Sequence, residues 1–113
     1  KDLLTGDTRM NRPGLADYLG GIIENASTDA AIAGAHALAM RPDSRPTLSQ
    51  IAVPTLIFTG LEDSIYPFEV AQEMDAAISN STLAIPAGAA HAAIIEAGSE
   101  ANEAIRDWAE GIQ

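Results

Sequence analysis

The sequence predicts an α/β fold, a partial parallel sheet laid out as strand–helix–strand–helix and preceded by two helices. Three observations carry this. Two short, nearly continuous apolar runs, 53–59 and 82–85, have the length and composition of buried strands. The stretches after each of them repeat their apolar residues at helical spacing. Apolar residues make up 47% of the chain and aromatics only 4%, which suits helices on a small sheet better than an all-β sandwich. At 113 residues the chain is one domain at most.

The first helix covers 14–25. Leu15, Tyr18, Leu19, Ile22 and Ile23 recur at i, i+3, i+4, i+7 and i+8, and Pro13 suits the first turn. Gly20 and Gly21 each weaken it by up to about 1 kcal/mol relative to Ala. Ser27, Thr28 and Asp29 offer N-caps to a second, Ala-rich helix ending near Met40. Arg41-Pro42-Asp43-Ser44-Arg45-Pro46 then breaks the pattern and reads as an extended connector. It is the clearest boundary in the chain, dividing 1–47 from 48–113.

Beyond it the period changes. The run 53–59 reads as a parallel strand covered on both faces, with Pro54 tolerable only because it lies at the start. Pro67 begins a helix with Val70, Ala71, Met74, Ala77 and Ile78 on one face, ended by Ser79-Asn80. The strand 82–85 comes next. Ser99 is placed to cap a last helix whose stripe is Ala101, Ile105, Trp108, Ala109 and Ile112. No internal repeat or low-complexity segment interrupts this order.

A strand–helix–strand crossover gives parallel strands, but two parallel strands alone make a poor sheet with two open edges. The expectation is that the sheet is completed by a missing N-terminal region, a second chain or a swapped copy. The chain opens on Lys rather than Met, which reads as a processed or partial chain.

Composition excludes several partners. Six basic against sixteen acidic residues leave a formal charge of −10, which repels nucleic acid and anionic membrane surfaces. The acidic residues are scattered, as on a solvated surface. No apolar stretch reaches the roughly 20 residues that span a bilayer, and no signal-peptide pattern opens the chain. The absence of cysteine rules out disulfides, thiolate nucleophiles and Cys-ligated zinc, and leaves the redox compartment open. The sequence leaves the location open, with the cytoplasm favoured over the alternatives.

Asp63 and His91 are the candidate catalytic residues. Each comes after an apolar strand, Asp63 in Gly60-Leu61-Glu62-Asp63 and His91 in Pro86-Ala87-Gly88-Ala89-Ala90-His91. In a parallel sheet both loops leave the carboxyl edge, where such sheets place their chemistry. An acid and an imidazole are two members of a nucleophile–base–orienter triad. Asp63 could otherwise be a turn-capping acid, and Glu62 is the other acid within reach. His91 could otherwise be an ordinary loop histidine. His36, on the Ala-rich helix with no acidic partner at helical spacing, reads as structural or exposed. With two histidines far apart, no metal site is expected. No phosphate-loop spacing occurs, so no nucleotide or other cofactor is expected. Ser64, Ser79, Ser81 and Ser99 read as turn and capping residues.

From about Leu48 to Trp108 the chain resembles the C-terminal third of the α/β-hydrolase fold. The matching text is Ile51-Ala52-Val53-Pro54-Thr55-Leu56-Ile57, then Gly60-x-x-Asp63-x-x-x-Pro67, then Gly88-Ala89-Ala90-His91, 28 residues after Asp63, and the closing Asn102-x-Ala104-Ile105-x-x-Trp108. The family commonly has Phe at the position of Trp108. Residues 1–47 resemble the last helices of the cap that many of these enzymes insert before this strand. The resemblance implies Asp63 as orienting acid and His91 as general base, with the nucleophile earlier in chain order. Neither a G-x-S-x-G elbow nor an HG-type oxyanion loop occurs in these residues.

Two functions are therefore expected to compete. In one, the chain is the C-terminal part of a hydrolase acting on an ester or lactone, active only when complemented by a nucleophile-bearing region: Ser, less readily Cys, or Asp with a shift to epoxide or haloalkane hydrolysis. In the other, it is a non-catalytic module stable as a dimer or with a partner chain, its acid and histidine idle.

Overall fold

The computed structural model describes residues 2–112. In chain order the elements are α1 (Gly6–Asn11), α2 (Pro13–Glu24), α3 (Thr28–Met40), a 3₁₀ turn (Arg45–Gln50), β1 (Thr55–Phe58), α4 (Phe68–Ala77), β2 (Ser81–Ala84), α5 (Ala93–Glu96) and α6 (Gly98–Gly111). β1 and β2 are adjacent and parallel, with Thr55 opposite Ser81 and Phe58 opposite Ala84. Bonds from Thr55 N–H to the Asn80 carbonyl (2.9 Å) and from Thr59 N–H to the Ala84 carbonyl (3.2 Å) extend the ladder at both ends. The right order for a crossover is thus in place, with α4 as the connection.

The strands are shorter than the apolar runs. β1 begins at Thr55 rather than at 53, because Pro54 has no N–H for the ladder. Val53 is 66% exposed. Expectation and structure differ on cover as well: only Ile57 of β1 is buried, and among the described residues β2 is its one neighbour.

The core is built from two clusters. Ile57, Ala71 and Ile78 pack with Leu48, Ile51, Met74 and Leu83, joining β1, β2, α4 and the 3₁₀ turn. Ala89, Ala93 and Ala97 pack with Phe58. Those small side chains let the loop after β2 lie close against the end of β1. Among the described residues no large side chain is completely buried. The radius of gyration, 15.9 Å, exceeds the roughly 13 Å of a compact chain of this size. The helices α2 and α3 bury no residue. Of the apolar stripe on α2, Tyr18, Ile22 and Ile23 stay exposed.

Helix ends follow local chemistry in part. The Ser27 hydroxyl accepts the Ala30 N–H (3.1 Å) and caps α3. Residues 41–44 are irregular, but the connector then coils into the 3₁₀ turn instead of staying extended. An exposed ion pair between Arg45 and Asp43 (2.7 Å) sits at its start, and its hydrogen bonds lower the Asp43 carboxyl to about 2. Ser99 does not cap α6. That helix starts one residue earlier, at Gly98, because the chain runs out of α5 through Ala97, whose carbonyl accepts the Ala101 N–H (2.9 Å).

Candidate active site

The loop after β1 closes on itself around Asp63. Its N–H donates to the Gly60 carbonyl (3.2 Å), and its Oδ1 accepts the N–H groups of Ile65 (2.8 Å) and Tyr66 (3.0 Å). This is an Asx-type turn, in which a short acid satisfies the backbone just ahead of it. The turn delivers the chain to Pro67, which caps α4.

The loop after β2 is tied to the first by backbone bonds. Leu61 N–H donates to the Pro86 carbonyl (3.2 Å) and Glu62 N–H to the Ala89 carbonyl (2.9 Å). Gly60 is the point of closest approach: a Cβ there would be driven into the carbonyls of Ala89 and Ala90. Only a residue without a side chain permits the two loops to lie so near. Gly88, at φ +72°, turns the second loop through a conformation that side chains disfavour.

These constraints bring the two candidate residues together. His91 Nδ1 lies 2.9 Å from Asp63 Oδ2. The carboxylate side chain is 5% exposed and the imidazole 35%, so the acid is sealed and the ring reaches the surface. Burial pushes the Asp63 carboxyl up, but the bonds from Tyr66 N–H, His91 and Ile65 N–H outweigh it and leave the pKa lowered. Asp63 is thus ionised at neutral pH and can only accept, so Nδ1 carries a proton, and in the neutral ring the lone pair falls to Nε2. Among the described residues Nε2 has no hydrogen-bond partner. The Tyr66 ring lies 5.8 Å from that of His91, tilted by 34°. An open groove of about 1210 Å³ runs from the pair along β1 to the connector.

Other candidates separate from this site. Glu62 is exposed and leaves the imidazole to Asp63. His36 is exposed on α3. Ser81 Oγ donates to Asp75 Oδ1 (2.7 Å) and serves the turn before β2. Among the described residues no group of three or more His, Asp or Glu could hold a metal, and no helix is long and apolar enough to cross a membrane. Sequence reasoning missed a second buried carboxylate, Glu96, close behind His91. The signal was there: a single charge inside the apolar run Ala92-Ala93-Ile94-Ile95-Glu96-Ala97.

No family model and no curated protein matches this sequence. The structure is similar to that of a thermophilic esterase from Thermogutta terrifontis, solved with malate bound. The TM-score is 0.94 at 29% identity, over 98% of this chain and 41% of the esterase. The chain therefore spans about two fifths of the length of the esterase it matches. The likeness is to a piece of a hydrolase, and to an esterase in particular.

Proposed function

We propose that this chain is the C-terminal portion of an α/β-hydrolase-type enzyme that hydrolyses esters or lactones. Residues 48–113 supply the acid strand, the histidine loop and the closing helix; residues 1–47 supply cap-like helices and the connector. The preceding part of the fold, or another chain, adds strands to the free edge of β1 and brings the nucleophile. One observation carries the reading: a 2.9 Å contact between a sealed carboxylate and a partly exposed imidazole, at the carboxyl ends of adjacent parallel strands. The likeness to an esterase over nearly the whole chain supports it.

The chemistry rests on the proton inventory. His91 Nε2 takes the proton of a serine-type hydroxyl as its oxygen attacks the ester carbonyl carbon. The imidazolium so formed is held by Asp63, which keeps the ring in the tautomer that leaves Nε2 basic. The tetrahedral oxyanion then collapses, the alcohol departs with the proton from Nε2, and an acyl-enzyme remains. Water, deprotonated by Nε2, repeats the attack and releases the acid. The donors that stabilise the oxyanion belong outside this chain.

The test uses the complete protein and a short p-nitrophenyl ester. Turnover lost on His91→Ala, with the fold retained, supports the reading. Turnover unchanged by His91→Ala refutes it. No turnover in the complete protein favours the non-catalytic module.

A further inference from the structure

Besides Asp63, one other carboxylate is buried among the described residues, that of Glu96 at the end of α5. A buried carboxylate persists only with its lone pairs satisfied. Here Oε1 accepts the Thr5 N–H (2.8 Å) and Oε2 accepts the Ala90 N–H (2.7 Å). The side chains of Thr8 and Thr5, both buried, also favour its charged form. Burial raises the carboxyl, but these donors outweigh it, so the net pKa is lowered and the group is ionised at neutral pH. Two arginines nearby hold backbone as well: Arg12 donates to the Glu96 carbonyl (2.6 Å) and Arg9 to the Leu4 carbonyl.

The two amides held by Glu96 belong to distant parts of the chain. Thr5 opens α1, 91 residues before Glu96, while Ala90 immediately precedes His91. A parallel bond, from Ala92 N–H to the Leu3 carbonyl (2.8 Å), pins the other side of His91 to the same segment. His91 therefore sits between two backbone anchors, at residues 90 and 92, and both lead to residues 3–5.

We propose that Glu96 is a positioning residue for His91, fixing the backbone before the imidazole to the N-terminal segment so that the ring keeps its place against Asp63. The proposal rests on His91 acting as general base. Its consequence is that residues 3–12, far from the acid and base in sequence, set the reach of Nε2 toward the nucleophile.

The experiment measures p-nitrophenyl ester hydrolysis by the complete enzyme, with KM and kcat separated and kcat/KM followed against pH. Glu96→Gln keeps the shape but turns an NH₂ toward an amide N–H. A displaced ring is expected to lower kcat roughly ten- to a hundredfold, with KM within about twofold and the acid limb of the profile shifted. Thr5→Pro is the second variant: the φ of −60° at Thr5 suits proline, which deletes the donated N–H. It is expected to act in the same direction. Should Glu96→Gln fail to fold, Thr5→Pro decides alone. Folded variants with wild-type kcat and an unmoved acid limb overturn the proposal. His91→Ala separates the two claims. If it abolishes turnover while the variants are silent, only the positioning role falls; if it leaves turnover intact, the reading of His91 as base falls.

Discussion

Gly60→Ala is the sharpest perturbation the site admits. The added methyl meets the carbonyls of Ala89 and Ala90, which are backbone and cannot rotate aside as a side chain would. If the loops hold, the overpacking costs about 1–3 kcal/mol. If they part, the bonds Leu61 N–H to Pro86 and Glu62 N–H to Ala89 are lost, at about 1 kcal/mol each. Either route centres on about 2 kcal/mol. Urea unfolding of the complete protein reads this as a lower midpoint at unchanged slope. Parting the loops also draws Asp63 from His91, so ester turnover should fall further than the loss of folded protein explains. A destabilisation below about 0.5 kcal/mol with unaltered turnover would refute the close approach of the two loops.

Three further outcomes are expected. Asp63→Asn should leave the fold intact and lower kcat by about 10³–10⁴, since an amide no longer enforces the productive tautomer; equal turnover in rapid-mixing assays would sink the acid's role. Asp63 and Glu96 both have lowered pKa values, so their stability contribution is present above the ordinary values of 3.8 and 4.5 and is lost as pH falls through the folded ones. Urea midpoints taken from about pH 6 to about pH 3 should therefore drop, and drop less in Glu96→Gln. Gly88→Ala meets open space but a φ of +72°, and should cost about 1–2 kcal/mol, less than Gly60→Ala, by the same unfolding assay.

The meeting of Asp63 and His91 was legible because apolar runs mark strands, and the loops leaving the carboxyl ends of neighbouring parallel strands lie side by side. Asp63 and His91 were found that way, although in sequence they lie 28 residues apart. The helices with long periodic stripes, α2, α4 and α6, were legible through their spacing. α1 and α5 were not: six and four residues are too few for a period to declare itself. The Thr5 cap, whose hydroxyl accepts the Thr8 N–H at 3.0 Å, was the one local sign of α1. Glu96 escaped because its burial depends on Thr5, at the other end of the chain. The narrower bounds of β1 reflect Pro54, a constraint visible in the sequence but outweighed by the apolar run around it. Among the described residues the second edge of β1 has no strand beside it, so its cover could not be read from the order of elements.

The unequal solvent access of the two partners makes the site readable by reagents. Diethyl pyrocarbonate reaches an imidazole that is about one third open, whereas a carbodiimide meets an aspartate with 5% of its side chain uncovered. A substrate mimic lying over Nε2 would then shield the ring from acylation and leave carboxyl labelling unchanged. Occupancy could be followed by mass spectrometry without any turnover at all.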